Sequence, residues 1–392
     1  MEGRLRERWG RPSGELRWEI LRNGFAIGAV VAAVCWLIVH AGDAGEVGSR
    51  NDREGAEMVQ TVADQRIDVA DGGQRLEQVQ SLRSDAAELT VAKPQQPATS
   101  NEEPSISVYL QDKQLVETVP LETYVLGVVT AEMPLDFEPA ALEAQAMAAR
   151  TYIVRRLLAD NRDGVPGRRA LVTDQVTHQA YLSREEIAKM QESNPQGLNK
   201  AEAAVDHTRD LIIAYEGEPI EALFFSASNG YTENSEEVFP NKVPYLRSVP
   251  SPWDEESRHS SAETVTMPLK EFYRKLNVEA IPVISRGKSS IRVLEWTQGR
   301  RVKLLNVGSK SITGEEARTR LGLRSASFEV HVADGEVAIT TRGNGHGVGM
   351  SQWGAEGMAK AGRSAEEIVE HYYSGARIAI ASKLLTSAED YS

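Results

Sequence analysis

The chain has a single cysteine, Cys35, among 392 residues. One thiol excludes an internal disulfide framework and any multi-cysteine metal site. The histidines do not make up for it: His178, His207, His259, His331, His346 and His371 lack close ligand spacing, so no metal is expected. An excess of positive charge is missing too. The net charge is −13, which argues against phosphate-backbone binding as the main activity, and no nucleic-acid partner is expected. There is no internal repeat. Gly343-Asn-Gly-His-Gly-Val-Gly-Met lacks the Gly-Lys-Ser/Thr ending of a phosphate loop and the spacing of a dinucleotide loop. No cofactor is expected.

Long apolar runs are as scarce, with one exception. Gly24–Gly42, GFAIGAVVAAVCWLIVHAG, follows Arg4, Arg6, Arg8, Arg11, Arg17 and Arg22 and precedes Asp43 and Glu46. It is long enough to cross a bilayer as a helix, and the charge asymmetry puts the N-terminus in the cytoplasm and the remainder outside. A cleaved signal peptide ending near Val39-His40-Ala41 is the competing reading, but the run is longer than a usual signal core. Residues 43–103 are acidic and poor in aromatics. Such a segment cannot bury enough apolar surface to offset its ordering entropy and reads as a disordered linker. The expected organisation is a cytoplasmic N-terminus (1–23), a transmembrane anchor (24–42), a linker (43–103) and one extracytoplasmic domain (104–385) of a single-pass protein of the cell membrane.

The domain is organised around Leu121–Arg156. Pro134 disfavours helical geometry at Met133, so a first helix over about Leu121 to Glu132 should stop there. Glu132 is then a lone carboxylate at a helix end, among Val128, Val129, Ala131 and Met133. Apolar surroundings disfavour its ionised form, the condition under which a carboxylic acid keeps its proton near neutrality. The alternative is a helix-end glutamate that points to water. A second helix begins near Glu138–Pro139, with Asp136 and Glu138 placed to satisfy its N-terminal amides. Its face of Ala141, Leu142, Ala146, Ala149 and Ile153 permits close helix packing.

Strands are expected over Ser105–Leu110, Gln114–Val119 and Ala170–Thr173, and helices over Ser183–Gln191 and Asn199–His207. A hairpin of Leu211–Tyr215 with Ile220–Ser226 should turn at Glu216-Gly217-Glu218-Pro219. Further on, Pro268–Leu276 reads as a helix, and Ile291–Thr297 pairs with Arg301–Val307. Thr313 with Glu316, and Ser364 with Glu367, mark capped helix starts. Phe328–Val332 and Glu336–Thr341 form a hairpin about Ala333-Asp334-Gly335. Hairpins mixed with helices make the fold class α+β, one large domain with a substrate groove.

The run Tyr124-Val-Leu-Gly-Val-Val-Thr-Ala-Glu-Met-Pro134, with Ala144-Gln-Ala-Met-Ala-Ala-Arg-Thr-Tyr152, resembles the stage II sporulation protein D family. Ser226-Ala-Ser-Asn-Gly-Tyr-Thr-Glu-Asn-Ser235, Pro244-Tyr-Leu-Arg-Ser-Val249 and Gly343–Gly354 agree in the same order. The resemblance implies a lytic transglycosylase that cuts peptidoglycan glycan strands without water, in engulfment during endospore formation. One carboxyl group, Glu132, would protonate the leaving oxygen and then accept a proton from the C6 hydroxyl. It also implies roles for Arg150, Tyr245 and Arg247, either touching substrate or shaping the groove. Ser226, Ser228, Thr232 and Asn234 supply short polar groups for sugar hydroxyls, or form a self-bonded turn. His346 is placed to donate to substrate or to Glu132, or to order its loop. Some relatives bind zinc near the position of Thr173–Tyr181; this chain has His178 there and none of the cysteines. The implied partners are glycan strands and the stage II sporulation proteins P and M. The rival reading is a non-catalytic, glycan-binding enhancer of a cell-wall amidase.

Overall fold

The computed structural model describes residues 103–256, 261–279, 284–285, 288–289 and 291–389. The arginine-rich terminus, the apolar run at 24–42 and the linker up to residue 102 lie outside the described residues. Among the described residues no helix is long and apolar enough to cross a membrane.

Strands β1 (Ser105–Leu110) and β2 (Leu115–Pro120) pair antiparallel, Ser105 opposite Pro120. Helix α1 (Leu121–Glu132) starts directly from β2 and ends where the sequence places the stop: Met133 has φ −114° and ψ 139°, the extended geometry that a following proline favours. Helix α2 (Pro139–Leu158) carries proline in its first turn, where no amide hydrogen is needed. Asp136 and Glu138 do not cap it. The carboxylate at this end is Glu356, whose Oε2 accepts from the Glu138 amide at 2.7 Å. A carboxylate 218 residues away fills the position that the nearby acids were expected to take.

Strand β3 (Val172–Thr173) joins β1 in parallel. Helix α3 (Arg184–Ser193) has a capping box of Ser183 and Glu186. Helix α4 (Pro195–His207) begins four residues before the expected Asn199, because Asn194 accepts from the Gly197 amide and Pro195 suits the first turn. The hairpin of β4 (Leu211–Tyr215) with β5 (Glu218–Pro219) is shorter than expected: Ala214 faces Pro219 and Tyr215 faces Glu218. The chain then leaves that sheet, and β6 (Phe224–Phe225) runs parallel to Met350–Ser351 instead.

A second apolar core is built from β7 (Glu263–Pro268), α5 (Leu269–Leu276), β10 (Ile291–Trp296), β11 (Val302–Val307), β12 (Lys310–Thr313), α6 (Gly314–Leu321), β13 (Phe328–Ala333) and β14 (Glu336–Thr341), with the short strands β8 (Ile284–Ser285) and β9 (Lys288–Ser289) between α5 and β10 in sequence. The sheet β10-β11-β12 and the sheet β13-β14-β7 enclose Phe272, Leu276, Leu305, Phe328 and Ile339, while β8 and β9 pair with each other. The β13–β14 turn has Asp334 at φ 53° and Gly335 at φ 82°, the left-handed pair that a tight hairpin requires. The chain returns to the first core through β15 (Met350–Ser351), α7 (Gln352–Lys360), α8 (Ala365–Tyr372), β16 (Arg377–Ile380) and α9 (Ala381–Glu389). In that core α1, α2, α4 and α8 bury Val125, Val128, Leu142, Ile153, Val205 and Ile368. Each such side chain contributes about 1.5–3 kcal/mol by leaving water. Helices and strands are thus mixed, an α+β fold.

Candidate active site

Glu132 is the last residue of α1 and is partly buried. Its Oε1 accepts from the Ala180 amide at 2.8 Å. The Gln352 side chain reaches it from the start of α7, with Nε2 donating to the Glu132 carbonyl at 3.2 Å. No lysine or arginine pairs with it among the described residues. Loss of water raises its pKa to about 7; the donors from Ala180 and Gln352 pull the other way and do not win. At neutral pH about half of this carboxyl therefore carries a proton, the state required of a general acid.

The placement of Ala180 traces back to a glycine. A Cβ on Gly127 would lie 2.3 Å from the Tyr181 ring and 2.7 Å from the Leu182 carbonyl. Without it, the 174–182 loop lies flat on α1. Tyr181 stacks on Tyr124 with ring centroids 5.4 Å apart, and the Tyr124 hydroxyl donates to Gln179 Oε1 at 3.1 Å. The loop then presents the Ala180 amide to Glu132. The opposite side is fixed by α7: Phe137 meets Trp353 edge-on at 4.7 Å, and the Trp353 amide donates to the Ser226 carbonyl at 3.0 Å. Half-buried Ser226, leaving β6, is thereby brought beside the helix turn that holds Glu132.

The other expected site residues have partners within the protein, and three of them, Arg150, Ser228 and Thr232, are fully buried. Arg150 is fully buried, so it does not touch substrate; it pairs with an acid inside the core instead. Its Nε and Nη2 form a two-pronged pair with Glu122 at 2.9 and 2.6 Å, and Nη1 donates to the Leu211 carbonyl at 3.0 Å. A charge in a helix core needs its hydrogen bonds met nearby, and Glu122 does that rather than capping α1. Ser228 and Thr232 are also buried. Ser228 Oγ donates to Asp254 at 2.8 Å, and Thr232 Oγ1 donates to the Arg247 carbonyl at 3.0 Å. They take the self-bonded alternative rather than offering hydroxyls. Asn234 bridges Gln298 and the Ser248 amide.

Tyr245 accepts from the Glu221 amide at 2.9 Å and packs on Tyr215. Arg247 pairs with Glu236, whose carboxyl it holds down at about 2. Neither bonds to Glu132 or to its neighbours described above. His346 lies between Phe225 and Phe239 and accepts at Nδ1 from the Val348 amide at 3.1 Å. That bond leaves the ring proton on Nε2. Desolvation, with Arg318 and Arg301 nearby, depresses its pKa and keeps the ring neutral. Loop ordering is the role that this geometry supports.

Several residues escaped the sequence analysis. Asp254 is a buried hub that accepts from Ser228, Ser251 and Ser351. Glu233 and Arg301 are buried together, 3.9 Å apart, with Thr297 also bonded to Glu233. The Arg301 guanidinium occupies the space that a Gly347 side chain would fill. These groups carry no local signature, since each is paired by distant chain segments. Gln352 lies within the Gly343–Gly354 stretch, where nothing in its immediate neighbours marks it as a contact of Glu132. Among the described residues no cluster of three or more His, Cys, Asp or Glu is placed to hold a metal. Both nitrogens of His178 are occupied, one by Thr173 Oγ1 and one by the Asp163 carbonyl.

A mixed α+β domain with one desolvated, half-protonated carboxyl between a loop amide and a helix start has the makings of an acid–base site. Comparison with known proteins then supplies the family. A family model described as stage II sporulation protein matches residues 109–215. The chain is 44% identical over 284 residues to stage II sporulation protein D of Bacillus amyloliquefaciens, covering 72% of this chain and 80% of that protein. It is 43% identical over 283 residues to the Bacillus subtilis (strain 168) protein of the same name, with the same coverage of each. A more distant similarity, 26% over 298 residues, is to an amidase enhancer of Bacillus subtilis, covering 64% of this chain and 39% of that one. The chain belongs to the stage II sporulation protein D family and is a sporulation protein.

Proposed function

We propose that this protein is a lytic transglycosylase that cleaves the β-1,4 bond after N-acetylmuramic acid in peptide-stripped peptidoglycan. The observation that carries the reading is the Glu132 carboxyl, desolvated to a pKa of about 7 with no cation beside it among the described residues. The protonated carboxyl gives its proton to the leaving glycosidic oxygen as the bond to C1 breaks. The carboxylate then accepts the proton of the C6 hydroxyl as that oxygen bonds to C1, leaving a 1,6-anhydro end. One group serves both steps because no water has to be activated, whereas hydrolysis usually employs two carboxyl groups at a set separation. A pKa near the working pH suits a residue that must donate and then accept. The Ala180 amide steadies the carboxylate between the two transfers.

In the same proposal the apolar run at 24–42 anchors the chain in the cell membrane with residues 104–385 outside, and stage II sporulation proteins P and M are its partners. The similarity to an amidase enhancer keeps a second reading in play, a glycan binder without catalysis. Mass spectrometry of purified peptide-free glycan incubated with the protein separates the two. Anhydro-muramoyl products that vanish on Glu132→Ala support catalysis. Equal products from the variant move the chemistry elsewhere, and intact glycan retained by the protein favours the binder.

A further inference from the structure

Where the 226–234 loop meets the second core, a cavity of about 280 Å³ opens to solvent. Asn229, Trp296, Arg300, Ser327, Glu329 and Arg342 are among its lining residues. Trp296, at the end of β10, is 51% exposed, the highest value among the large hydrophobic side chains described. What marks Trp296 is its place in a cavity with polar and cationic groups, where its indole offers a flat apolar face with a polar edge. The cavity also carries two guanidinium groups. Arg342 is exposed, and its side chain has no partner among the described residues. Arg300 is held in place: it lies 4.1 Å over the Tyr231 ring and donates to the Tyr231 hydroxyl at 3.0 Å.

The floor is rigid. The Asn229 amide donates to the Gly299 and Arg300 carbonyls and to Ser327 Oγ at 2.9–3.1 Å, and its Oδ1 accepts from the Tyr231 amide. A site so fixed loses little order when a ligand enters. An exposed indole face offers apolar contact to the flat side of a sugar ring. Guanidinium groups select a carboxylate by geometry as well as charge. Glu329 adds an acceptor for a hydroxyl and disfavours a densely charged polyanion. An inorganic anion alone would leave Trp296 uncovered.

We propose that this cavity is a second glycan subsite that takes a carboxylate-bearing sugar, separate from the bond at Glu132. The proposal rests on the reading of glycan as substrate. Ser226, beside the Glu132 turn, is three residues from Asn229, at most about 11 Å of extended chain. In this proposal one strand spans both places, and the subsite fixes which link lies over Glu132.

The test uses the full chain as Glu132→Gln, so that binding is read without turnover. The probes are a tetrasaccharide containing muramic acid, the same compound with its carboxyl groups reduced, and chitotetraose, each followed by calorimetry. Trp296→Ala and Arg342→Gln are each expected to weaken the acidic tetrasaccharide about tenfold. Arg342→Gln should leave the reduced compound unchanged, and Glu329→Gln should tighten the acidic one. Unchanged affinity in Trp296→Ala overturns the subsite, as does an equal loss for acidic and reduced probes in Arg342→Gln. Products from the parent chain with binding indifferent to Trp296 remove the subsite and leave the catalytic reading. Binding that depends on Trp296 in a parent that yields no product does the reverse.

Discussion

Helix α1 has a glutamate near each end, and the two have opposite fates. Glu122 faces Arg150 through two short bonds in the core, and the guanidinium also serves carbonyl groups at Val205 and Leu211. Glu132, ten residues on, is partly buried and has an amide and a carboxamide for company and, among the described residues, no cation. Burial disfavours a carboxylate in both places; the difference is whether a positive charge offsets it. With one, the acid becomes a structural strut, held by two hydrogen bonds to Arg150. Without one, it keeps a proton that chemistry can use.

That contrast can be broken at either end. The largest effect is expected at Glu132, where Glu132→Gln should lower anhydro-muramoyl product formation by about 10²–10⁴-fold while the circular dichroism spectrum stays unchanged. At the other end, Arg150→Met leaves Glu122 buried and unpaired and should cost about 3–5 kcal/mol in urea unfolding. Adding Glu122→Leu should recover most of that loss, because apolar replacement of both partners removes the stranded charge. A double variant as unstable as the sum of the two single ones would show that the pair is not the unit.

Gly127→Ala comes next. Its new methyl group meets the Tyr181 ring, so a cost of about 1–3 kcal/mol is expected from overpacking. The displaced loop also withdraws the Ala180 amide, which lowers the Glu132 pKa at present. The alkaline limb of the activity profile should therefore move to higher pH; a limb that stays put would detach Ala180 from the site. In the parent, kcat/KM should fall as pH rises through about 7, where the acid loses its proton.

The smallest effect is on stability. The native pKa of Glu132 is raised above its unfolded value of about 4.5. The unfolded chain therefore releases this proton first, and stability drains away as pH rises from about 4.5 to about 7. Glu132→Gln escapes that loss. It should match the parent below the window and exceed it above by about 1–2 kcal/mol, a fraction of the full linkage because solvent reaches the half-buried carboxyl. Thermal unfolding across the window measures it, and a gap of constant size would contradict the assignment.

How much was legible depended on how local the cause was. Pro134 set the end of α1, Ser364 with Glu367 set the start of α8, and Asp334-Gly335 set a turn, each through the dihedral preferences or side-chain reach of a few neighbours. The hairpin ends early at β5 because the partner of Phe224–Phe225 is a strand more than a hundred residues later, which no local signal reports. Ser228, Thr232 and Asn234 looked like ligand groups because their composition is that of a sugar-binding loop. Their hydrogen-bonding capacity turned out to be taken up by Asp254, Arg247 and Gln298.

By itself the chain's order of residues determined the helix that carries Glu132, the place where that helix stops and the apolar company in its immediate neighbourhood. Those follow from steric limits on the backbone and act over a few residues. Only the tertiary structure decided that Arg150 goes to Glu122, that Ala180 and Gln352 meet Glu132, and that Trp296 stays in water beside two arginines. Desolvation and charge pairing depend on which distant segments arrive together. Two glutamates of one helix were therefore given different chemistry by their neighbours in space.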